Sequence, residues 1–390
     1  MNNTGDSSPL FRKEGYSLIL GSKIKQARLY RGLSQSELAD KLGVTKQAIS
    51  KYEVGKSQLS AEIIALLPKI LGFPISFFMQ KNIQQYNMSQ SIIYFRTKSI
   101  SKRTKEHLAT KIQILDENIM GFYKKYIDFP EVNIPDLNEY LGKNNCNYNR
   151  EVIRNVARKV RERWQLGTQP ITNLAYVLQS NGFILNKQYI DQDKTDGLSQ
   201  WVNDTPYIFT SANKGSAVRS RFDNAHELGH LLLHRNVTAE EQGSTAIERD
   251  ADYFASEFLY PSEEFLKELS EYPICLEAFI SLKEKWGISI QAIVRKCLDL
   301  GLISDEKYIY FQKRISFKGW RKNEPLDDIL PVEEPTLLKD ATELLIDNEV
   351  LTKQEMLNEI NMYSRDIVEL CNLPVDFFNN SYSNIIKLYN

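Results

Sequence analysis

Apolar residues return every three or four positions along most of this chain, and one short stretch alternates in the manner of strands. Leu20, Ile24 and Ala27, with Leu29 beside them, predict a helix over Leu18 to Gly32. Ser34 with Glu37 three residues on is a capping box opening a short helix through Leu38, Ala39 and Leu42. Gly43 supplies the turn, and Thr45 caps a second short helix around Ile49. Ser60 to Leu71 and Pro74 to Phe78 follow as helices. Lys111 to Tyr126 and Arg150 to Trp164 are amphipathic, separated by the break at Pro130 to Pro135. A helix from Ile171 to about Ser180 precedes Phe183-Ile184-Leu185. Leu198 to Val202, the turn Asn203-Asp204 and Tyr207-Ile208-Phe209 predict an antiparallel hairpin.

Beyond the hairpin the helical spacing resumes. One helix starts near Arg221-Phe222-Asp223, with Phe222, Ala225, Leu228 and Leu232 on its apolar side. Another carries Ile247, Ala251, Phe254, Ala255 and Phe258 and ends at Pro261. Glu263 to Leu269, Leu276 to Trp286 and Ser289 to Leu298 continue the series, and Leu351 to Phe378 reads as a small helical appendage. The fold class predicted is a multidomain, mostly α chain with one small antiparallel sheet.

The first of these late helices holds the candidate chemistry. Of four histidines in the chain, three fall between 226 and 234. His226 and His230 stand four apart, so on a helix their imidazoles leave one face, one turn above the other. Glu227 is rotated by roughly 100° from His226 and can lean over a metal held by the two rings. This is an H-E-x-x-H arrangement, with two neutral imidazoles to hold Zn²⁺ and a carboxylate to take a proton from water. Glu248 and Asp252, one turn apart on the next helix, suit a third ligand and an anchor for the other ring nitrogen of a ligating histidine. Asp250 and Asp252 remain rivals to Glu248 as the ligand. His234 lies two turns, about 12 Å of rise, beyond His226, too far to share one ion, and is assigned to packing or support.

The run Arg-Phe-x-x-Ala-His-Glu-Leu-Gly-His-Leu-Leu-Leu-His, then Glu-Arg-x-Ala-Asp-x-Phe-Ala-x-x-Phe-Leu-x-Pro, resembles the ImmA/IrrE metallopeptidases. The resemblance implies a zincin-like α+β domain of the gluzincin type, with His226, His230 and Glu248 as Zn²⁺ ligands and Glu227 as general base. Asp252 stands where that family often has Asn. Studied members are zinc endopeptidases that cleave helix-turn-helix repressors to switch on mobile-element or DNA-damage genes.

The early stretch Leu33-Ser34-Gln35-Ser36-Glu37-Leu38 through Lys51-Tyr52-Glu53 is two short helices around a tight Gly turn. Through residue 78 it resembles the Cro/C1-type (XRE) helix-turn-helix domain. That resemblance places Lys46, Gln47, Ser50 and Lys51 toward base edges or phosphates and Gln35 toward the DNA backbone. One such domain reads a half-site, so a homodimer on double-stranded operator DNA is expected.

Charge supports that division. Residues 1–165 carry 27 basic against 15 acidic side chains, and 166–390 carry 22 against 35, although the whole chain is at −1. A polyanion-binding front follows, with an acidic, solvated rear. The connector, opened by Tyr94-Phe95-Arg96 and followed by Lys98, Lys102, Arg103 and Lys105, reads as a solvated helical face. Cys146, Cys275, Cys297 and Cys371 are widely spaced and form no Cys-x-x-Cys pair, which points to a reducing compartment. The polar start and the lack of a long apolar run predict a cytoplasmic, nucleoid-associated protein.

The expected layout is a disordered start at 1–16, an XRE-type domain at 17–80, a basic helical connector at 81–165, a zinc peptidase domain at 166–320 and an acidic helical region at 321–390. The predicted function is a DNA-binding transcriptional regulator with a built-in zinc endopeptidase, cleaving a repressor or related protein in a mobile-element, defence or stress-response system. Tyr207, Tyr253 and Tyr260 are candidate oxyanion stabilisers. The alternative is a non-enzymatic autorepressor or antitoxin-like protein with a structural or idle zinc site.

Overall fold

The computed structural model describes residues 19–79, 93–95, 101–142, 147–188, 196–213, 215–235, 237, 241 and 244–379. The expected disordered start, 1–16, lies outside them. The chain divides into two compact units, one of residues 1–87, 101–127 and 341–390, the other of 88–100 and 128–340.

In the first unit the local signals in the sequence become caps. Ser34 Oγ accepts from Glu37 N at 3.1 Å, and the Glu37 carboxylate accepts from Ser34 N at 2.7 Å, opening the helix Gln35–Leu42. Gly43 takes a φ of +67°, where a Cβ would be strained, and Thr45 Oγ1 accepts from Ala48 N to start Lys46–Glu53. Ala61–Leu71 and Ile75–Met79 complete the set. Leu38, Ile49, Leu67, Leu71, Phe73 and Phe77 are buried. Arg28 and Glu53, both buried, are paired beneath the turn.

The acidic end of the chain belongs to this unit and is not simply solvated. Asp366, buried in the helix Ser364–Cys371, takes a bidentate pair from Arg31 at 2.6 and 2.7 Å. Lys111 reaches Glu369 at 2.6 Å and Lys125 reaches Glu359 at 3.0 Å. Part of the basic excess at the front is therefore neutralised by the rear of the same chain. The stretch expected as one connector, 81–165, contributes 101–127 to this unit and 128–165 to the other.

The second unit holds a four-stranded sheet in the order β1-β3-β4-β2: β1 (Ile93–Phe95), β2 (Ile184–Gln188), β3 (Gly197–Val202) and β4 (Thr205–Ser211). The β3–β4 hairpin is antiparallel as expected, with Asn203 at a φ of +54° in its turn. β2 joins β4 in parallel, so the sheet is mixed. β1 is a correction to the helical reading of Tyr94-Phe95-Arg96, since residues 93–95 pair with β3 instead. A helix Ala217–Leu233 packs on β3 and β4 and against a second helix, Thr245–Leu259. It begins a turn earlier than Arg221, because Ser216 offers no side-chain cap and the sequence marks no start there. Further helices build the core around Phe254, Phe258, Phe279 and Trp286. Among the described residues no helix is long and apolar enough to cross a membrane.

Candidate metal centre and DNA-facing helix

The helix Ala217–Leu233 is buried on nearly every side, held between the sheet and Thr245–Leu259. Gly229, within the H-E-x-x-H motif, sets how closely that second helix can approach. A Cβ there would lie 3.0 Å from Phe254 Cδ1 and 3.3 Å from the Ala251 backbone. The bare Cα lets the two helices meet, and the meeting carries Glu248 to the histidines.

His226 and His230 turn their Nε2 atoms toward one another at 2.9 Å. Glu248 Oε2 lies 3.4 Å from His226 Nε2, and Oε1 lies 3.7 Å from His230 Nε2. One ligand atom from each of the three residues falls within a 4.8 Å set. The other ring nitrogens are anchored. His226 Nδ1 meets Asp252 Oδ1 at 2.8 Å, and His230 Nδ1 meets His234 Nδ1 at 3.1 Å. Burial pushes the His234 pKa below its ordinary value, which keeps the ring neutral. Asp250 Oδ2 lies 3.9 Å from His234 Nε2. With the protons of His226 and His230 on Nδ1, Asp252 accepts from the first and His234 Nδ1 from the second.

Both Nε2 atoms are thereby left with lone pairs facing each other beside a carboxylate. Three electron-rich groups converging at this spacing repel one another unless a cation lies among them. Tetrahedral zinc at ordinary Zn–N lengths separates two imidazole nitrogens by about 3.3 Å, close to the spacing found. The donor set therefore fits Zn²⁺. Of the rivals, Asp252 faces the far nitrogen of His226, and Asp250 accepts from Tyr148 N at 2.9 Å.

Glu227 is wholly buried and faces the sheet. Ser199 Oγ donates to Glu227 Oε2 at 2.6 Å. Two residues earlier on β3, a Cβ on Gly197 would stand 2.8 Å from Glu227 Oε1 and 3.2 Å from its Cγ. Gly197 and Ser199 share one face of the strand and together form the seat of this carboxylate. Neither was singled out from sequence. The available signal was a small residue at i and i+2 opening a strand beside the motif helix. Of the candidate tyrosines, Tyr253 OH accepts from Arg154 at 3.0 Å, Tyr260 OH donates to Glu268 at 3.0 Å, and Tyr207 is buried in β4.

In the first unit, Lys46, Gln47, Ser50 and Lys51 are all exposed on the helix Lys46–Glu53. Their spacing puts them on one side of it, opposite buried Ile49. Gln35 opens the preceding helix and is half-buried, and its amide nitrogen donates to Glu53 Oε2 at 2.8 Å. That bond fixes Gln35 at the helix N-terminus and ties it to the Arg28–Glu53 pair.

Two family models match separate stretches of the chain. The helix-turn-helix family model matches residues 24–78, and that of the IrrE N-terminal-like domain, a peptidase family, matches 184–298. A prophage-derived HTH-type transcriptional regulator of Bacillus subtilis, YonR, is 32% identical over 72 residues, 18% of this chain and 67% of that one. An HTH-type regulator of Sinorhizobium medicae is 39% identical over 61 residues, 16% of this chain and 44% of its own. The antitoxin PezA of Streptococcus pneumoniae is 26% identical over 121 residues, 30% of this chain and 67% of the antitoxin. The chain thus spans two-thirds of the first and third of these relatives and less than half of the second.

Proposed function

Because the chain belongs to the helix-turn-helix transcriptional regulators and carries an IrrE N-terminal-like peptidase domain in the same polypeptide, we propose that it is a zinc-dependent endopeptidase that cleaves a repressor or related regulatory protein. The setting is a mobile-element, defence or stress-response system. The observation that carries this reading is the convergence of His226, His230 and Glu248, with Glu227 on the same helix as the two histidines and its carboxylate held by Ser199 of β3.

His226, His230 and Glu248 would hold the ion, with Asp252 and His234 fixing the ring tautomers that present Nε2. Bound there, Zn²⁺ would supply a Lewis acid for the scissile carbonyl and lower the pKa of water at the site. Glu227 takes the proton of the attacking water and returns it to the leaving amine. Ser199 holds the carboxylate in one orientation for both transfers. The buried setting strengthens these interactions relative to water.

At the other end, Lys46, Gln47, Ser50 and Lys51 would enter the major groove from the exposed side of their helix, and Gln35 would meet a phosphate. A homodimer would place two such helices on a two-fold operator. This work belongs in the cytoplasm, at the nucleoid.

A second reading, in which the protein is an operator-binding partner of another protein and the zinc site is idle, draws on the likeness to an antitoxin. Purified wild-type protein, Glu227→Gln and His230→Ala separate the two. The peptidase reading expects one zinc per chain in wild type and Glu227→Gln, less in His230→Ala, and cleavage by wild type alone. Equal effects of wild type and Glu227→Gln on the partner protein, with zinc present in both, would favour the second reading.

A further inference from the structure

The sheet of the second unit has two edges, and they are not equivalent. Glu227 rests on β3 through Gly197 and Ser199, whereas β2 lies two strands away. An extended peptide that comes to the side of Glu227 by joining the sheet must join it along the outer edge of β3. That edge is already paired. Ile93, Tyr94 and Phe95 lie antiparallel to Gln200, Ser199 and Leu198, with Tyr94 directly opposite the residue that holds Glu227. Without β1, β3 would end the sheet with its backbone donors and acceptors unfilled.

We propose that the outer edge of β3 is the site where the peptidase takes the backbone of an extended substrate, and that residues 93–95 occupy it in the resting protein, so that the enzyme is latent. The latency rests on the peptidase reading; the occupied strand site does not. The rings and the base lie deep, with His226, Glu227 and His230 at 0, 0 and 1% exposure, while the Glu248 side chain keeps 19%. The described part of the occupant is Ile93–Phe95. As a segment of the same chain it competes at an effective concentration on the order of millimolar. A free peptide at micromolar concentration would not displace it. In sequence the strand stands between two segments of the DNA-reading unit, 1–87 and 101–127.

Antiparallel pairing alternates, so either Tyr94 or the Ile93/Phe95 pair turns its N–H toward β3. Tyr94→Pro and Ile93→Pro/Phe95→Pro in the full chain therefore form a matched test, one breaking the ladder and the other serving as its control. Amide hydrogen exchange is read at Leu198–Gln200, with zinc present or removed. One of the two variants is expected to exchange there at least about tenfold faster than wild type. A synthetic peptide of residues 89–99 at millimolar concentration is expected to restore protection in that variant and to leave wild type unchanged. Unchanged exchange in both variants overturns the proposal.

Ile93→Cys/Gln200→Cys gives a second measurement that does not depend on tolerance of proline. Oxidation should suppress the cleavage that the reduced protein shows when the strand leaves the edge, and a thiol reductant should restore it; cleavage by the oxidised protein equal to that of the released proline variant overturns the latency. If exchange and peptide binding behave as expected but no variant cleaves anything, the occupied site stands and the peptidase reading fails. If cleavage occurs and exchange does not respond, the reverse holds.

Discussion

Gly197→Ala separates the seat of Glu227 from the stability of the fold. Gly197 is not in the left-handed region of φ, so a side chain there meets no backbone strain. Replacing Gly by Ala in an allowed conformation commonly stabilises by about 0.4–1 kcal/mol through the unfolded chain. The obstacle is Glu227, because the new Cβ falls 2.8 Å from Oε1 where ordinary contact begins at 3.4 Å. The carboxylate must yield by about 0.6 Å, and a displacement near 1 Å can cost on the order of 10²-fold in rate. It cannot swing away freely, since Ser199 holds Oε2 at 2.6 Å and the side chain is wholly buried. We therefore expect cleavage to fall by roughly 10- to 100-fold, or about 1.4–2.7 kcal/mol of barrier, with the zinc content of wild type. Denaturant unfolding should move by no more than about 1 kcal/mol. Gly215→Ala, where a Cβ meets nothing within 4 Å, is the control and should match wild type. Cleavage by Gly197→Ala within twofold of wild type would refute the role given to Gly197 and Ser199. Loss of zinc would show that the displacement reaches His226.

His234→Ala removes the partner of His230 Nδ1, and zinc affinity measured by competition with a chelator should fall by about 10- to 100-fold. Asp366→Ala leaves Arg31 without its bidentate partner and should destabilise the DNA-reading unit by about 2–4 kcal/mol in denaturant unfolding; no change would mean that the acidic end is dispensable there. Lys46→Ala and Lys51→Ala should each reduce the slope of log affinity against log salt on operator DNA by about 1, with zinc unaffected. Burial holds the His107 pKa below its ordinary value, so its folded-state contribution is intact above about pH 6.5 and diminishes as pH falls below that. Unfolding between pH 7 and 5.5 should show this loss, and His107→Gln should reduce it.

What could be read from the sequence was what is local. The Ser34 box, the Gly43 turn and the Thr45 cap each sit within four residues of their partners, and the pairing of His226 with His230 follows from one helical turn. Glu248 could be nominated by helical spacing and was preferred to Asp250 and Asp252 through the family resemblance; the helix crossing that Gly229 permits brings its carboxylate to the two histidines. Ser199 is 28 residues from Glu227, and Arg31 is 335 from Asp366, separations over which no pattern in a window carries information. The acidic end therefore read as solvated surface, although several of its carboxylates are paired. β1 was missed for a related reason, because Ile93-Tyr94-Phe95 has too few residues to show a period of two, and only pairing with β3 makes it a strand.

The central claim is that this chain hydrolyses a regulatory protein with Glu227 as its base. Its most direct test is a comparison of new protein N-termini in host cells carrying wild type or Glu227→Gln, with and without DNA damage. The account predicts a new N-terminus inside a helix-turn-helix protein, present only with wild type. Identical N-termini in both strains under both conditions, with zinc confirmed in both proteins and residues 93–95 released by proline, would contradict it.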